Sequence, residues 1–262
     1  MKPTVFIGGG RITNALIAGL ELAAFRQRIL VHDRNPQKLR NLQRRYGVEI
    51  GSDLSQAVAV AGLIIVAVRP NSVRELLNSI REVKLPPVAV SLAAGIPLSF
   101  LKRLIPTIHW ARAMPSPVCR SGSGLTALLF GPRFPVHEKK HIENFFRNVG
   151  TVVQVPESQF DAFTVTYSSS HGYHALATLA HAAEELGLDR KLAMIAAAHA
   201  LADGIQYWRD RKESLPELLH EAATPGGIAG TVMSSMESAG YAKIVKRGLQ
   251  AGLARARQNS TS

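Results

Sequence analysis

Three consecutive glycines, Gly8, Gly9 and Gly10, follow an apolar run near the start of the chain and precede a segment with helical spacing. This context is typical of loops that bind the pyrophosphate of a dinucleotide. The first glycine permits a tight turn, and Gly10 lets the backbone approach a phosphate at a helix N-terminus. Thr13 stands where a third glycine or alanine usually allows close packing, so the fingerprint is incomplete. We expect dinucleotide contacts from Gly8, Gly9, Gly10, Arg11 and Ile12.

Two residues of opposite charge, Asp33 and Arg34, follow the second predicted strand. An acidic residue at this position accepts hydrogen bonds from an adenosine ribose. A guanidinium can stack on adenine or pair with a 2′-phosphate, which Asp33 would repel. The pair therefore leaves both NAD and NADP open as the coenzyme. The alternative is an ordinary strand–turn–helix connection in which Asp33 caps the next helix.

Two further loops each follow a predicted strand. Doubly wound folds bind ligands beyond the carboxyl ends of their strands. We therefore expect both loops to line the coenzyme groove, through Val68, Arg69, Pro70, Ala93, Ala94 and Gly95.

Short β-branched runs alternate with amphipathic segments over the first part of the chain, a rhythm typical of parallel sheets with helices between the strands. We predict strands at residues 4–7, 28–32, 62–68, 88–91, 108–111, 125–130 and 151–155. After Pro156 the β-branched runs largely stop, and alanine-rich helical periodicity follows. The sequence therefore predicts an α/β Rossmann domain with a doubly wound, mostly parallel sheet over residues 1–156. An all-α domain is predicted over residues 157–262.

Composition narrows the compartment and the partners. The 262 residues are 46% hydrophobic and 19% charged, which is enough apolar material for a large core. The single cysteine, Cys119, cannot form an internal disulfide, so we expect a reducing compartment, the cytoplasm. The longest apolar run, residues 57–68, is too short to span a membrane. Alanine-rich helices bury little area per residue, so we also expect a partner subunit.

The chain carries 31 basic and 19 acidic residues, a net charge of +12 with neutral histidines. Such an excess suits a solvated basic surface, nucleic-acid binding or attraction of anionic ligands. The basic residues are dispersed and are not interleaved with aromatic residues, which favours the solvated surface. The nine histidines include no strong metal-ligand spacing, so no metal site is expected.

Three longer motifs follow the glycine loop in a fixed order: Val90-Ser91-Leu92-Ala93-Ala94-Gly95, Arg112-Ala113-Met114-Pro115 and Thr224-Pro225-Gly226-Gly227. With these motifs the chain resembles pyrroline-5-carboxylate reductase over nearly its whole length. The resemblance implies NAD(P)H-dependent reduction of the C=N bond of 1-pyrroline-5-carboxylate to L-proline, with Met114 among the coenzyme contacts. It also implies a helical domain that interlocks with a second subunit, in a homodimer or a larger ring.

This chemistry needs little acid–base machinery, because a pyrroline nitrogen can be protonated in solution before hydride reaches the adjacent carbon. The protein must mainly bind the substrate carboxylate and align the two reactants. Thr224 and the backbone N–H groups of Gly226 and Gly227, at a predicted helix start, form a suitable anion cradle. The alternative is that this segment is only a turn between helices.

The chain departs from the family at several positions. Ser116 replaces an asparagine that usually follows the Met-Pro motif. In the altered loop at residues 167–173, Ser169 and Ser170 are candidates for substrate binding, and His171 is a candidate proton donor. The candidate catalytic residues are Thr224, His171 and Ser169.

A further departure follows the Pro-Gly-Gly segment, where the family has two threonines and this chain has Ile228 and Ala229. These changes leave two alternatives open. One is a related reductase of another cyclic imine or of a carbonyl compound. The other is a non-catalytic protein that binds dinucleotides or associates with nucleic acid.

Overall fold

The computed structural model describes residues 2–211, 213–224 and 226–259, which form two compact units. Unit 1 takes in the chain up to Tyr167 and again from Gly252 onward, and unit 2 is Ser168–Ala251. The strands, all in unit 1, are β1 (Thr4–Ile7), β2 (Ile29–His32), β3 (Glu49–Gly51), β4 (Leu63–Val66), β5 (Val88–Ser91), β6 (His109–Pro115), β7 (Gly124–Phe130) and β8 (Gly150–Gln154).

The eight strands form one sheet in the order β3-β2-β1-β4-β5-β6-β7-β8. Every neighbouring pair is parallel except β6 and β7, which are antiparallel. The strand order starts at β1 and extends outward in both directions. The predicted doubly wound, mostly parallel sheet is confirmed.

Helices cover both faces of this sheet. Those of unit 1 are α1 (Arg11–Leu22), α2 (Pro36–Tyr46), α3 (Leu54–Ala59), α4 (Val73–Ile80), α5 (Leu98–Leu104), α6 (Val136–Arg147) and α7 (Glu157–Thr166). Phe6 and Ile65 of the sheet join α1, α2 and α6 in one buried cluster. Val5 and Ile64, one residue earlier on the same strands, join α3, α4 and α5 in a second cluster. The alternation follows because successive strand residues point to opposite faces.

Two strands differ from the prediction by more than two residues at an end. β3 was not predicted, because it has three residues and pairs only with β2 at the edge of the sheet. β6 continues four residues beyond the predicted end at Ala111, because its second half pairs with β7, with Met114 opposite Ala127. Arg112 and Met114 therefore lie within the sheet rather than in a loop after it.

The boundary between the units also differs from the predicted division at residues 156 and 157. Unit 1 includes α7, because Phe160 is fully buried in a cluster with Ala127 of β7. It also includes the end of the last helix, where the side-chain amide of Asn259 donates to the carbonyl oxygen of Ala94.

Unit 2 is helical, as predicted for this part of the chain. The remaining helices are α8 (Ser169–Glu185), α9 (Arg190–Asp210), α10 (Leu215–Ala222), α11 (Ile228–Ser238) and α12 (Tyr241–Asn259), of which α12 ends in unit 1. A capping box at Ser214 and Glu217 starts α10. None of the helices within the described ranges has the length and apolar character needed to cross a membrane.

Candidate functional site

The glycine loop joins β1 to α1, and its first and last glycines have different roles. Gly8 has a φ of +111°, and a Cβ there would lie 2.6 Å from the carbonyl oxygen of Ala67. The fold itself therefore requires glycine at this position. A Cβ on Gly10 would meet no described protein atom within 4 Å. Gly10 thus leaves the space before the N-terminus of α1 open, as an anion site there requires.

Thr13, which stands in place of a third glycine, is fully buried. Its hydroxyl donates a hydrogen bond to the carbonyl oxygen of Gly8. The threonine therefore ties the first turn of α1 to the loop. The fold thus accommodates a threonine at the position where the usual fingerprint has a third glycine or alanine.

Asp33 follows β2 and binds the backbone of the glycine loop. Its Oδ2 accepts from the N–H of Gly9 at 2.7 Å, and its Oδ1 accepts from the N–H of Asn35 at 2.8 Å. The Lys38 ammonium lies 3.4 Å from Oδ2. Burial raises the pKa of Asp33, but the hydrogen bonds from Asn35 and Gly9 and the charge of Lys38 outweigh it. The pKa of this carboxyl group is therefore below its usual value.

Asp33 does not cap α2, which was the alternative interpretation. Asn35 caps that helix, because its side chain accepts from the N–H groups of Gln37 and Lys38. Arg34 lies between these two polar residues, and its guanidinium forms an exposed ion pair with Glu75 of α4 at 3.2 Å. No sequence pattern indicates this ion pair, since its two residues are 41 positions apart.

The other two predicted coenzyme loops differ in accessibility. Val68 and Pro70 are half-buried and Arg69 is exposed, at the carboxyl end of β4. In the loop after β5, Ala93 and Gly95 are buried and Ala94 is half-buried. A Cβ on Gly95 would lie 2.0 Å from the carbonyl oxygen of Ala256 in α12, so packing against this helix already requires a glycine here.

Arg112 of β6 is the largest fully buried side chain within the described part of the chain, with 1% of its surface exposed. Its guanidinium pairs with Glu157 and Asp161 of α7, each at 2.8 Å, and stacks 4.3 Å from the Phe160 ring centre. Met114, two residues along the strand, packs in the same region against the Phe160 cluster. The sequence indicates Arg112 only as part of a motif and not as the centre of an ion-pair network, because Glu157 and Asp161 lie far away along the chain.

The departure at Ser116 has a local structural role. The Ser116 hydroxyl accepts a hydrogen bond from the N–H of Val118 at 3.3 Å and so caps a short 3₁₀ turn. Ser116 is buried, with 5% of its surface exposed. Cys119 lies in this turn, buried, with a free thiol. Burial raises the pKa of this thiol to about 11. The thiol is therefore protonated at neutral pH and is not an activated nucleophile.

The predicted anion cradle lies at the start of α11 in unit 2. Pro225 lies outside the described residues. A Cβ on Gly227 would lie 2.6 Å from the Thr224 hydroxyl oxygen, which shows how closely these two residues pack. The N–H of Gly227 donates to the carbonyl oxygen of Thr224 at 2.9 Å and is therefore engaged, contrary to the predicted cradle. Gly226 has a φ of +77° and is exposed.

The amides that α11 presents at its N-terminus begin at Ile228, because the first N–H groups of a helix have no partner within it. Thr231 is the nearest hydroxyl beyond Ala229. The Thr231 hydroxyl donates a hydrogen bond to the carbonyl oxygen of Gly227 at 3.0 Å. It therefore does not replace the threonine hydroxyl that the family has at the position of Ala229.

The serine and histidine candidates lie at a different helix start. Ser169, Ser170 and His171 form the first turn of α8, after Ser168. The hydroxyl oxygens of Ser168 and Ser170 are 2.6 Å apart, and the N–H of His171 donates to the carbonyl oxygen of Ser168 at 2.9 Å. Ser169 is half-buried, whereas Ser170 and His171 are exposed. Within the described ranges, no cluster of histidine, cysteine or acidic side chains could hold a metal ion.

Two family models match separate parts of the chain. One, described as NADP oxidoreductase, coenzyme F420-dependent, matches residues 4–95. The other, described as pyrroline-5-carboxylate reductase dimerisation, matches residues 157–259. The first segment holds the glycine loop, Asp33 and the loop after β5. The second begins at α7 and contains all the helices described for unit 2, α8 to α12.

Whole-chain comparisons agree with these matches. The chain is 30% identical to pyrroline-5-carboxylate reductase from Thermus thermophilus, with 89% of each sequence covered. It is 29% identical to the enzyme of that name from Mycobacterium leprae, with 98% of this chain and 97% of the relative covered. The solved pyrroline carboxylate reductase of Plasmodium falciparum, with NADP bound, shares the fold at a TM-score of 0.87 and 18% identity, with 98% of both chains covered. The chain belongs to the pyrroline-5-carboxylate reductase family.

Proposed function

We propose that this protein reduces the C=N bond of 1-pyrroline-5-carboxylate to form L-proline, with NADPH as the reductant. The observation that carries the proposal is similarity to enzymes of this name over nearly the whole chain, including both matched segments. The same similarity does not favour a non-catalytic or nucleic-acid-associated role.

The residues of unit 1 fit a dinucleotide coenzyme. The space beside Gly10 is open at the N-terminus of α1, which suits a pyrophosphate. Arg34 and Lys38 supply positive charge beside Asp33, so a 2′-phosphate would not meet Asp33 alone. We propose coenzyme contacts from this loop and the first turn of α1, from the half-buried or exposed residues that follow β4 and β5, and from Met114 within β6. Besides the glycines and Met114, these residues are Arg11, Ile12, Val68, Arg69, Pro70 and Ala94.

The bound coenzyme supplies hydride from its nicotinamide to the imine carbon. The protein residues then have three tasks: they bind the substrate carboxylate, orient the ring and exclude water. We assign the carboxylate to Thr224 and the first amides of α11, in place of Gly227, because the Gly227 N–H is engaged. Ser169, Ser170 and His171 remain candidates for contacts with the ring nitrogen or the product amine.

The proposal is tested by measuring coenzyme oxidation with 1-pyrroline-5-carboxylate, beside a panel of other cyclic imines and 2-oxo acids. We expect the highest kcat/KM for 1-pyrroline-5-carboxylate, with NADPH preferred to NADH. A higher kcat/KM for another cyclic imine or for a carbonyl compound would show a changed substrate. No turnover by protein that binds NADPH would contradict the proposed activity.

Ala229→Thr restores the second threonine that the family has after Pro-Gly-Gly. If its hydroxyl orients the substrate nitrogen, it adds a hydrogen bond worth about 0.5–1.5 kcal/mol. We therefore expect kcat/KM for 1-pyrroline-5-carboxylate to rise by up to about tenfold. Ala229→Val, which has a similar shape without the hydroxyl, is the control and should not give the rise. A slower Ala229→Thr enzyme would mean that the pocket is built around alanine.

Asp33→Asn tests coenzyme preference. The substitution removes a charge that repels a 2′-phosphate, so the ratio of NADH Kd to NADPH Kd should rise by about three- to tenfold. Both dissociation constants should also increase, since one of the two carboxylate oxygens becomes an NH2 group, which cannot accept from the N–H of Gly9 or of Asn35. Asp53→Asn, at the cap of α3, is the matched control and should leave the ratio unchanged. An unchanged or reversed ratio in Asp33→Asn would remove this residue from the ribose site.

We also propose that the protein is a homodimer or a larger homo-oligomer. In the single chain, the only fully buried side chains among the described residues of unit 2 are Ala180, Ala193 and Ala197. Large apolar side chains such as Leu192, Ile195, Trp208, Val232 and Ile244 are exposed. Residues 157–259 match the family's dimerisation segment, so a second copy is the partner that would cover them.

Light scattering should therefore give at least twice the mass of one chain. Ile244→Glu should lower this mass, since a carboxylate would be buried in the dimer contact. Leu22→Glu is the matched control, because Leu22 and Ile244 are equally exposed, at 67%, and Leu22 lies outside the dimerisation segment. A wild-type monomer, or the same mass for both variants, would argue against the assignment.

We also propose that the protein is located in the cytoplasm, where thiols stay reduced, because its single cysteine is free.

A further inference from the structure

The loop after β5, residues 92–97, is held in place by contacts from two helices. At one end, Asn259 of α12 donates to the carbonyl oxygen of Ala94 at 3.2 Å. At the other end, the N–H of Leu98 donates to Oε1 of Glu157 at 3.4 Å. Leu98 is the first residue of α5, and Pro97 at its cap makes no side-chain hydrogen bond. Glu157 thus serves as the acceptor for this helix start.

The same carboxylate oxygen also binds the buried guanidinium. Glu157 Oε1 is 2.8 Å from Nη1 of Arg112, which is 1% exposed. Arg112 is itself fixed by Asp161 at 2.8 Å and by the ring of Phe160. Because Arg112 has little freedom, it holds the Glu157 carboxylate at a defined position beneath the start of α5. One oxygen atom therefore joins β6, α7 and the end of the loop.

The two acidic partners of Arg112 are not equivalent. Both bind the guanidinium at the same distance, but of the two only Glu157 also accepts from the backbone next to the loop among the described hydrogen bonds. A residue that only balanced the Arg112 charge would not need this second contact. Both carboxylates can therefore stabilise the fold by pairing with Arg112, whereas of the two only Glu157 can also hold the loop through the N–H of Leu98 among the described hydrogen bonds.

We propose that Glu157 is a positioning residue for coenzyme binding, which acts by fixing the loop at residues 92–97 through the N–H of Leu98. The inference rests on the proposed function, in which Ala94 of this loop contacts the coenzyme. Glu157 itself is 42% exposed in its side chain, and its partners among the described hydrogen bonds, Arg112 and the N–H of Leu98, are not proposed coenzyme contacts. Its effect is therefore on the geometry of the loop.

The test compares three variants of the full-length protein by NADPH fluorescence titration and by thermal unfolding. Glu157→Ala removes both contacts, and we expect it to raise the NADPH Kd by about three- to tenfold and to lower Tm. Asp161→Ala removes the other partner of Arg112, and it should lower Tm by a similar amount with less than a twofold change in Kd. Glu157→Gln keeps an oxygen that can accept from Leu98, so it should restore Kd to within about twofold of wild type.

The proposal is overturned if Glu157→Ala binds NADPH as tightly as wild type, or if Asp161→Ala weakens binding to the same extent. It is also overturned if Glu157→Gln fails to rescue binding, because the contact to Leu98 would then not be the cause. These measurements use coenzyme binding alone. They remain decisive whether or not the wild-type enzyme reduces 1-pyrroline-5-carboxylate, which the substrate panel tests separately.

Discussion

Gly10→Val is expected to weaken NADPH binding by a factor of one hundred or more, on the order of 3 kcal/mol, and to leave the fold intact. The backbone at Gly10 has φ −80° and ψ −168°, an extended conformation that valine adopts readily. A Cβ at this position meets no described protein atom within 4 Å, so we expect the valine side chain to occupy the open space at the N-terminus of α1. We therefore expect the substitution to act mainly against the bound pyrophosphate. Fluorescence titration gives the Kd, and circular dichroism checks the fold.

Gly8→Ala provides the contrast. Here the added Cβ would lie 2.6 Å from the Ala67 carbonyl oxygen, at a φ of +111° that side chains rarely adopt, so stability should fall. Gly10→Val therefore tests whether coenzyme binding requires a glycine in this loop, and Gly8→Ala tests whether folding requires one. Tight NADPH binding by folded Gly10→Val would remove this loop from the coenzyme site.

Arg112→Met should lower the free energy of unfolding by about 2–4 kcal/mol, since removal of one partner of a buried charge network leaves the other charges uncompensated. Methionine fills part of the volume beside Phe160 but cannot bind Glu157 or Asp161. The two carboxylates are 42% and 28% exposed and can take up water, which keeps the loss from being larger.

The matched control is Arg28→Met. Arg28 also forms a bidentate ion pair, with Glu49, but both side chains are largely exposed, so a much smaller loss is expected. Urea unfolding monitored by circular dichroism measures both variants. Equal losses, or a stability of Arg112→Met equal to wild type, would show that the buried network contributes little.

Much of the fold could be predicted because its signals are local. Asn35, Pro36 and Gly47 mark the start and end of α2, and they act there as a side-chain cap, a first-turn proline and a left-handed C-terminal residue. β5 has its predicted bounds because all four of its residues are buried and lie between turn residues. β3 could not be predicted in this way, since Glu49, Ile50 and Gly51 carry no repeated pattern.

The candidate site was predictable only where one segment carries the whole signal. The glycine loop and Asp33 follow from spacing, and the structure joins them through the Gly9 N–H. The partners of Arg112 lie 45 and 49 positions away, and a periodic pattern does not encode such contacts. The same holds for Arg34 and Glu75, which are 41 positions apart. Tertiary contacts of this kind require the structure.

The close packing of α1 also has a consequence for the order in which its faces are covered as the chain is made. A Cβ on Gly19 would lie 2.1 Å from the Cys119 carbonyl oxygen and 3.0 Å from a methyl carbon of Val149, so this helix fits against segments made much later. On a ribosome that makes the protein from its N-terminus, α1 emerges long before the residues that cover it. A fragment of residues 4–95, the segment matched by the oxidoreductase family, would leave that face of α1 exposed to solvent. In newly made chains we therefore expect the Gly19 face of α1 to be covered only after the chain has been made through Val149.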